Sequence, residues 1–207
     1  MTEALAPVRN LGNHGITATR RIYEGGFADH LRASWDEVYT DRRLDEEALA
    51  LLVDGEPAGF IMLRALGPTD RIYLRYLVIA ADRRGQGLGS LLWEHLRAHC
   101  VREDFTLLVW DVEHPGEEGI DDGERSVRER RAAFYERLGG VVIPVLEQTG
   151  TEYTNPHHRS DGSSYESPML LMATPLGPTQ LPVDDRTWLS GLVSDVQRYR
   201  WERAEMR

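Results

Sequence analysis

Hydrophobic and polar positions along this chain change period several times, and each change marks a candidate element. Residues 48–53 and 58–66 are apolar, strand-like runs. They are joined through Asp54-Gly55, a strong short-range hairpin signal. Gly67-Pro68 marks a further turn, and residues 71–79 read as the third strand of a meander. Upstream, residues 12–20 are expected to form a first strand. Phe27, Leu31, Trp35 and Val38 recur at helical spacing and predict a helix over 27–39. Downstream, residues 88–101 have helical periodicity and 105–112 are strand-like. Residues 126–138 read as a helix stopped by Gly139-Gly140, with a Gly- and acid-rich loop over 114–124 before it. Residues 141–146 and 169–173 are expected as the last two strands, with a polar loop over 148–167 between them. Residues 175–182 resemble a linker. Trp188, Leu192, Val196 and Tyr199 then predict an amphipathic helix. No repeat or long low-complexity segment interrupts the pattern.

Composition narrows the class. The 207 residues are 41% apolar and 28% charged, as in an ordinary globular protein, and suffice for one domain with or without an appendage. No apolar run approaches the roughly 18 residues of a membrane span. The first ten residues lack the apolar stretch of a secretory signal. A single cysteine, Cys100, cannot form an internal disulfide. The expectation is a cytoplasmic protein without a membrane partner. The net charge of -10 argues against nucleic acid. All 24 basic residues are arginine, so no lysine can serve as base or nucleophile.

The segment from Tyr76 to Leu92 is the most informative. An apolar strand runs into Arg84-Gly85-Gln86-Gly87-Leu88-Gly89, and that turn opens a helix. The first N–H groups of a helix lack internal partners, and with the helix dipole they form an anion site. Glycine lets backbone approach a phosphate closely. Arg83 and Arg84 add positive charge, so a pyrophosphate suits the place. A Walker A loop is excluded by the absence of lysine. The dinucleotide fingerprint fails because its last glycine position is Ser90. The spacing that fits is Arg-x-x-Gly-x-Gly, from Arg84 through Gly87 to Gly89.

In these residues and their context the chain resembles the GNAT superfamily of acetyltransferases, whose signature is Q/R-x-x-G-x-G/A after an apolar strand. The resemblance covers about residues 13–174. It implies a mixed α/β fold with a splayed, mostly antiparallel sheet flanked by helices. A domain over 1–175 would be followed by a linker and amphipathic helix over 176–207. It further implies an N-acetyltransferase that takes acetyl-CoA as cosubstrate, needs no metal, and passes the acetyl group directly to a primary amine on a small molecule or peptide. The amides of Arg84, Gly85, Gln86, Gly87, Leu88, Gly89 and Ser90 would hold the CoA pyrophosphate. The backbone of Leu77, Val78 and Ile79 would lie along the pantetheine arm, and N–H groups near Val78 would stabilise the developing oxyanion. An enzyme using a longer acyl-CoA, and a non-catalytic acyl-CoA sensor, are the alternatives.

Residues 131–140, from Arg131 to Gly140, resemble the family's second segment, an aromatic-tyrosine pair before a glycine. The pair here is Phe134-Tyr135. Gly140 stands where the family usually has an aromatic. Carried over, Tyr135 would protonate the departing CoA thiolate. A phenol of pKa ~10 is protonated at neutral pH and able to donate to a thiolate of ~8.5. In some members a glutamate on the strand before the turn is the base; that position falls near Tyr73. Asp111 and Glu113, two residues apart and on one face by alternation, are the nearest carboxylates. Glu113 is the favoured base, with a water relay as the alternative.

Three weaker signals remain. His95 and His99 have zinc-compatible helical spacing but no evident third ligand, so a solvated helix face is expected. The acidic loop (Glu113, Glu117, Glu118, Asp121, Asp122, Glu124) would attract a cationic amine or simply be solvated. Pro156-His157-His158-Arg159 lies in the polar loop and would cover the acceptor or be disordered. The C-terminal helix, with Trp188 and Trp201, would cap its own domain or form a homodimer.

Overall fold

The computed structural model describes residues 2–27, 29, 32–40, 44–158 and 164–201. The chain divides into two units: Met1–Ala65 with Leu74–Phe105, and Leu66–Tyr73 with Thr106–Arg207. Among the described residues no helix is long and apolar enough to cross a membrane.

In the first unit the strands β1 (Glu3–Pro7), β2 (Glu46–Val53), β3 (Glu56–Ala65) and β4 (Arg71–Ile79, from Leu74 onward) are neighbours in that order. β1 and β2 pair antiparallel, as do β2 and β3. Asp54 and Gly55 have φ of 51° and 86°. Both are positive, as the tight hairpin turn demands.

The stretch expected as a first strand is instead helical, within α1 (Asn13–Gly26). Ile16, Thr19 and Tyr23 fall on one face at the 3.6-residue period, and Phe27, extended just past the helix end, packs on the same core. Thr19 is fully buried because its hydroxyl donates to the Gly15 carbonyl at 2.8 Å. Reading Thr19 as polar hides the stripe. The true first strand, β1, is short, alanine-containing and ends at Pro7, as suits the edge of a sheet.

The helix expected over 27–39 is also corrected. Phe27, Trp35 and Val38 do join the core with Tyr23 and Phe60. The regular piece, however, is one π-helical turn, Asp36–Thr40, and Leu31 lies outside the described residues. A reciprocal cap starts this turn afresh: Ser34 Oγ accepts from the Glu37 amide at 3.2 Å, and Glu37 Oε2 accepts from the Ser34 amide at 3.1 Å.

In the second unit β5 (Leu107–Glu113) pairs parallel with the start of β4, Tyr73 opposite Val109. β5 also pairs antiparallel with β8 (Ser164–Pro175), which carries β6 (Val141–Val142) and β7 (Thr154–His158). The expected strand over 141–146 therefore shortens to two residues. Pro144 has no N–H for a ladder, and α4 (Val145–Thr149) begins after it. The polar loop over 148–167 likewise contains β7 and the start of β8; Arg159 lies outside the described residues. Besides Tyr153, its buried positions are Asn155 and Ser167, polar residues satisfied by hydrogen bonds, so no apolar alternation announces the hairpin.

Two longer helices complete this unit, α3 (Asp122–Arg137) and α5 (Arg186–Trp201). α5 sends Leu189, Leu192 and Val196 into a core with Val109 and Leu171, and Trp188 packs against it. Arg71 and Asp195 pair at 2.6 Å. The Tyr199 ring lies on Gly67, where any Cβ would sit 2.3 Å from the ring. The C-terminal helix thus caps its own unit; the Trp201 side chain lies outside the described part.

Candidate active site

The glycine-rich turn is built as its spacing requires. β4 ends at Ile79, a single 3-10 turn spans Ala81–Arg83, Arg84 is extended, and α2 (Leu88–Arg102) follows. Gly85 and Gly87 have φ of 75° and 79°, the left-handed region that costs other residues about 1–2 kcal/mol. Nothing lies within 4 Å of a Cβ placed on either. These glycines are needed for conformation, and their surroundings stay open for a ligand. Gly87 is the N-cap and supplies no side-chain bond; the first intrahelical bond runs from the Leu91 amide to the Gly87 carbonyl at 3.2 Å. The first-turn amides of Leu88, Gly89 and Ser90 therefore have no intrahelical acceptor. Leu88, Leu92 and Trp93 are buried and anchor the helix start, while Arg84, Gly85, Gln86 and Gly87 are exposed. Arg84 Nε donates to the Ile79 carbonyl and Gln86 Nε2 to the Asp82 carbonyl, each at 3.3 Å, and so brace the turn.

Behind this strand end lie two glycines that the motif does not include. A Cβ on Gly59 of β3 would meet Ile79 Cδ1 at 2.9 Å and the Val78 carbonyl at 3.1 Å. One on Gly26 of α1 would meet Val78 Cγ2 at 2.3 Å. Glycine at both points lets β3 and α1 close on Val78 and Ile79. A glycine inside a strand pattern was the one visible hint.

The second unit holds Tyr135 on α3. It is 7% exposed, and its ring packs on Trp110 and Phe134, each at 5.1 Å between centroids. Burial pushes the Tyr135 hydroxyl up to about 12, with the Glu113 charge adding to it and the Arg131 charge opposing. Gly140, the departure from the family pattern, has a local reason. A Cβ there would stand 2.8 Å from Trp110 Cζ2 and 2.9 Å from the Tyr135 carbonyl. The Gly140 amide donates to that same carbonyl at 2.9 Å. The indole of Trp110 fills the space a side chain at 140 would enter.

Glu113 and Asp111 share the half-buried side of β5, with buried Val112 between them. Their partners differ. Glu113 is paired with Arg131. Burial raises the Glu113 carboxyl, but the Arg131 charge, hydrogen bonds and the Arg128 charge outweigh it and hold the group below its ordinary value. Asp111 Oδ2 accepts from the Tyr153 hydroxyl and from Asn155 Nδ2, both at 3.0 Å.

The acidic loop carries its own counter-charge. Arg128 reaches Glu117 at 2.5 Å, Glu124 at 2.8 Å and the His114 carbonyl at 3.1 Å. Arg125 donates to the Pro115 carbonyl at 2.6 Å, and Asp121 caps α3 by accepting from the Glu124 amide at 2.8 Å. Glu113, Glu117, Asp121 and Glu124 are thus engaged, while Glu118 and Asp122 stay exposed. Of the two histidines, His99 lies 2.7 Å from Glu47 and is only 12% exposed, so that helix face is packed rather than solvated.

Comparison with known proteins shows the family and the fold. A family model described as Acetyltransferase (GNAT) family matches residues 16–121. A solved GNAT-family protein from Bacteroides thetaiotaomicron superposes with a TM-score of 0.68 at 20% identity, covering 95% of this chain and 98% of its own. A ribosomal-protein-alanine N-acetyltransferase from Escherichia coli gives 0.58 at 19% identity, covering 87% and 98%. An aminoglycoside 6'-N-acetyltransferase complexed with coenzyme A gives 0.55 at 19% identity, covering 86% and 99%. At these identities the structural likeness speaks for the fold: mixed α/β, mostly antiparallel, with flanking helices. No curated protein sequence matches the chain significantly.

Proposed function

Because the chain belongs to the GNAT acetyltransferase family, we propose that it is an acetyl-CoA-dependent N-acetyltransferase acting by direct transfer to a primary amine. The observation that carries the proposal is the exposed turn at Gly85–Gly87, with open space above positive-φ glycines and first-turn amides that lack intrahelical acceptors. In this proposal the amides of Arg84 to Ser90 take the pyrophosphate. The backbone of Leu77, Val78 and Ile79 takes the pantetheine arm, and N–H groups near Val78 stabilise the oxyanion. Coenzyme A or acetyl-CoA supplies the acetyl thioester; no metal enters the proposed chemistry.

Binding donor and amine together removes most of the entropic cost of their encounter. The amine must be neutral to attack. Glu113, kept ionised by Arg131, is proposed to receive its proton through water. Attack forms the C–N bond; as the C–S bond breaks, Tyr135 donates its proton to the departing thiolate, and the surplus proton of the amide nitrogen restores the phenol. The raised pKa of Tyr135 keeps the hydroxyl protonated across the working range and also makes it a weaker acid than a free phenol. Residues 1–175 are proposed to carry this activity, with 176–207 as a structural appendage.

A free-thiol assay with acetyl-CoA over a broad panel of primary amines tests the reading. Turnover with at least one amine is expected. Calorimetric binding of acetyl-CoA without turnover on any amine would favour a sensor, and faster thiol release from a longer acyl-CoA would reassign the donor.

A further inference from the structure

The first unit places arginines around one buried carboxylate. Glu46 and Arg64 face each other in register across β2 and β3, with side chains 1% and 2% exposed, and form an ion pair. Arg75 Nη1 on β4 reaches the same Glu46 oxygen at 3.2 Å. Arg75 therefore shares its carboxylate with a second guanidinium. A charge drawn out of water is costly unless fully compensated. The Arg75 side chain is 16% exposed, so one edge of it remains approachable.

A second arginine stands close by. Arg75 covers the Tyr76 ring at 5.3 Å, Tyr76 meets Tyr23 edge-on at 5.1 Å, and Arg32 lies over Tyr23 at 5.8 Å. Each cation thus covers one ring of the Tyr23–Tyr76 pair, and the charges of both Arg75 and Arg32 oppose the rise that burial and Tyr76 impose on the Tyr23 hydroxyl. The two hydroxyls hold the backbone next to Arg32: Tyr23 donates to the Ala33 carbonyl and Tyr76 accepts from the Ala33 amide, each at 3.0 Å. Arg32 is thus fixed in place, yet its charge is poorly matched. Its ion-pair partner Asp29, at 2.5 Å, is 92% exposed, so that pair is screened by solvent. Arg32 Nε is buried and has no acceptor among the described residues. Buried donors of this kind call for an explanation. Glu37, in the same segment, is turned to the Ser34 amide and hydroxyl at 3.1 and 3.2 Å.

We infer that Arg32 and Arg75, with Tyr23 and Tyr76 between them, recognise a carboxylate on the acceptor, so that the amine substrate also carries an acid group. A planar carboxylate matches the fork of a guanidinium, and two forks on one aromatic pair select it over a neutral amide. The inference rests on the N-acetyltransferase reading and names its substrate class. It runs against a polycationic acceptor, because Glu113, Glu117 and Glu124 of the second unit are already paired with Arg131 and Arg128.

Calorimetry on the full chain with CoA present tests it, using the common amino acids and the carboxamide of each. At least one acid is expected to bind about tenfold or more tightly than its own carboxamide. Arg75→Gln is expected to erase that difference while acetyl-CoA affinity stays at the wild-type value. Should Arg75→Gln fail to fold, Arg32→Gln gives the same comparison without touching the ion pairs of Glu46. Acids and carboxamides that bind alike, no binding by any acid, or a preference that survives in Arg32→Gln would overturn the inference. Failure of acetyl-CoA itself to bind would instead overturn the reading beneath it.

Discussion

Two glycine sites, one in each unit, use glycine for opposite reasons. In the first, Gly85 and Gly87 adopt positive φ and face open space, so they serve conformation and access. In the second, Gly140 meets Trp110 at 2.8 Å, so it serves packing around Tyr135. The turn proposed to admit a ligand has empty surroundings. Tyr135, the proposed proton donor, is buried with its surroundings filled. The same residue type therefore fails differently in the two places: strain and lost affinity in one, overpacking in the other.

The largest expected effect lies in the second unit. Tyr135→Phe should lower kcat by about 10²–10⁴-fold while leaving the Kd for acetyl-CoA unchanged, measured by thiol release and calorimetry. The pH profile sharpens this. A proton donor works while protonated, so its contribution is complete below its folded pKa and lost as pH rises through about 12. A Tyr135-dependent basic limb near the ordinary phenol value of 10.0 would show that burial does not govern the group.

Next, Gly140→Ala should destabilise the protein by about 1–3 kcal/mol through collision with Trp110, read from chemical denaturation. Gly87→Ala should cost about 1–2 kcal/mol of stability from its left-handed φ, with weaker acetyl-CoA binding as its distinguishing mark. If Gly140→Ala weakened donor binding and Gly87→Ala did not, the contrast between the glycines would collapse.

The smallest effect concerns Arg131→Gln, which should cost at most ~1 kcal/mol at pH 7, since the Arg131 side chain is 43% exposed. Glu113 has a depressed folded pKa. Its contribution is therefore present above the unfolded carboxylate value and lost as pH falls through the folded one. The gap in Tm between wild type and Arg131→Gln should close on acidification. A gap unchanged down to strong acid would remove the pair from the account.

What was legible in the chain follows the same division. The Arg84–Gly89 turn is local: a few consecutive residues specify strand end, positive-φ glycines and helix start. The Asp54-Gly55 hairpin was legible for the same reason. What depends on partners far along the chain was not. Gly140 looked like a departure until Trp110 appeared beside it. Thr19 is a polar residue in the sequence, yet it is buried with its hydroxyl donated to the Gly15 carbonyl, so the apolar stripe of α1 is interrupted in the sequence. Asn155 and Ser167 are buried polar positions, so β7 read as a loop. The sharing of Glu46 by Arg64 and Arg75 joins three strands, which no window along the sequence can display.

In the proposed mechanism the turn holds the donor by its pyrophosphate. Calorimetry comparing acetyl-CoA with S-acetylpantetheine, which keeps the thioester arm but lacks the pyrophosphate and nucleotide, tests it most directly in wild type and Gly87→Val. The account predicts that wild type binds acetyl-CoA at least about 100-fold more tightly than the truncated donor, and that Gly87→Val loses most of that advantage. Equal affinity for the two donors, or an advantage untouched by Gly87→Val, would contradict it.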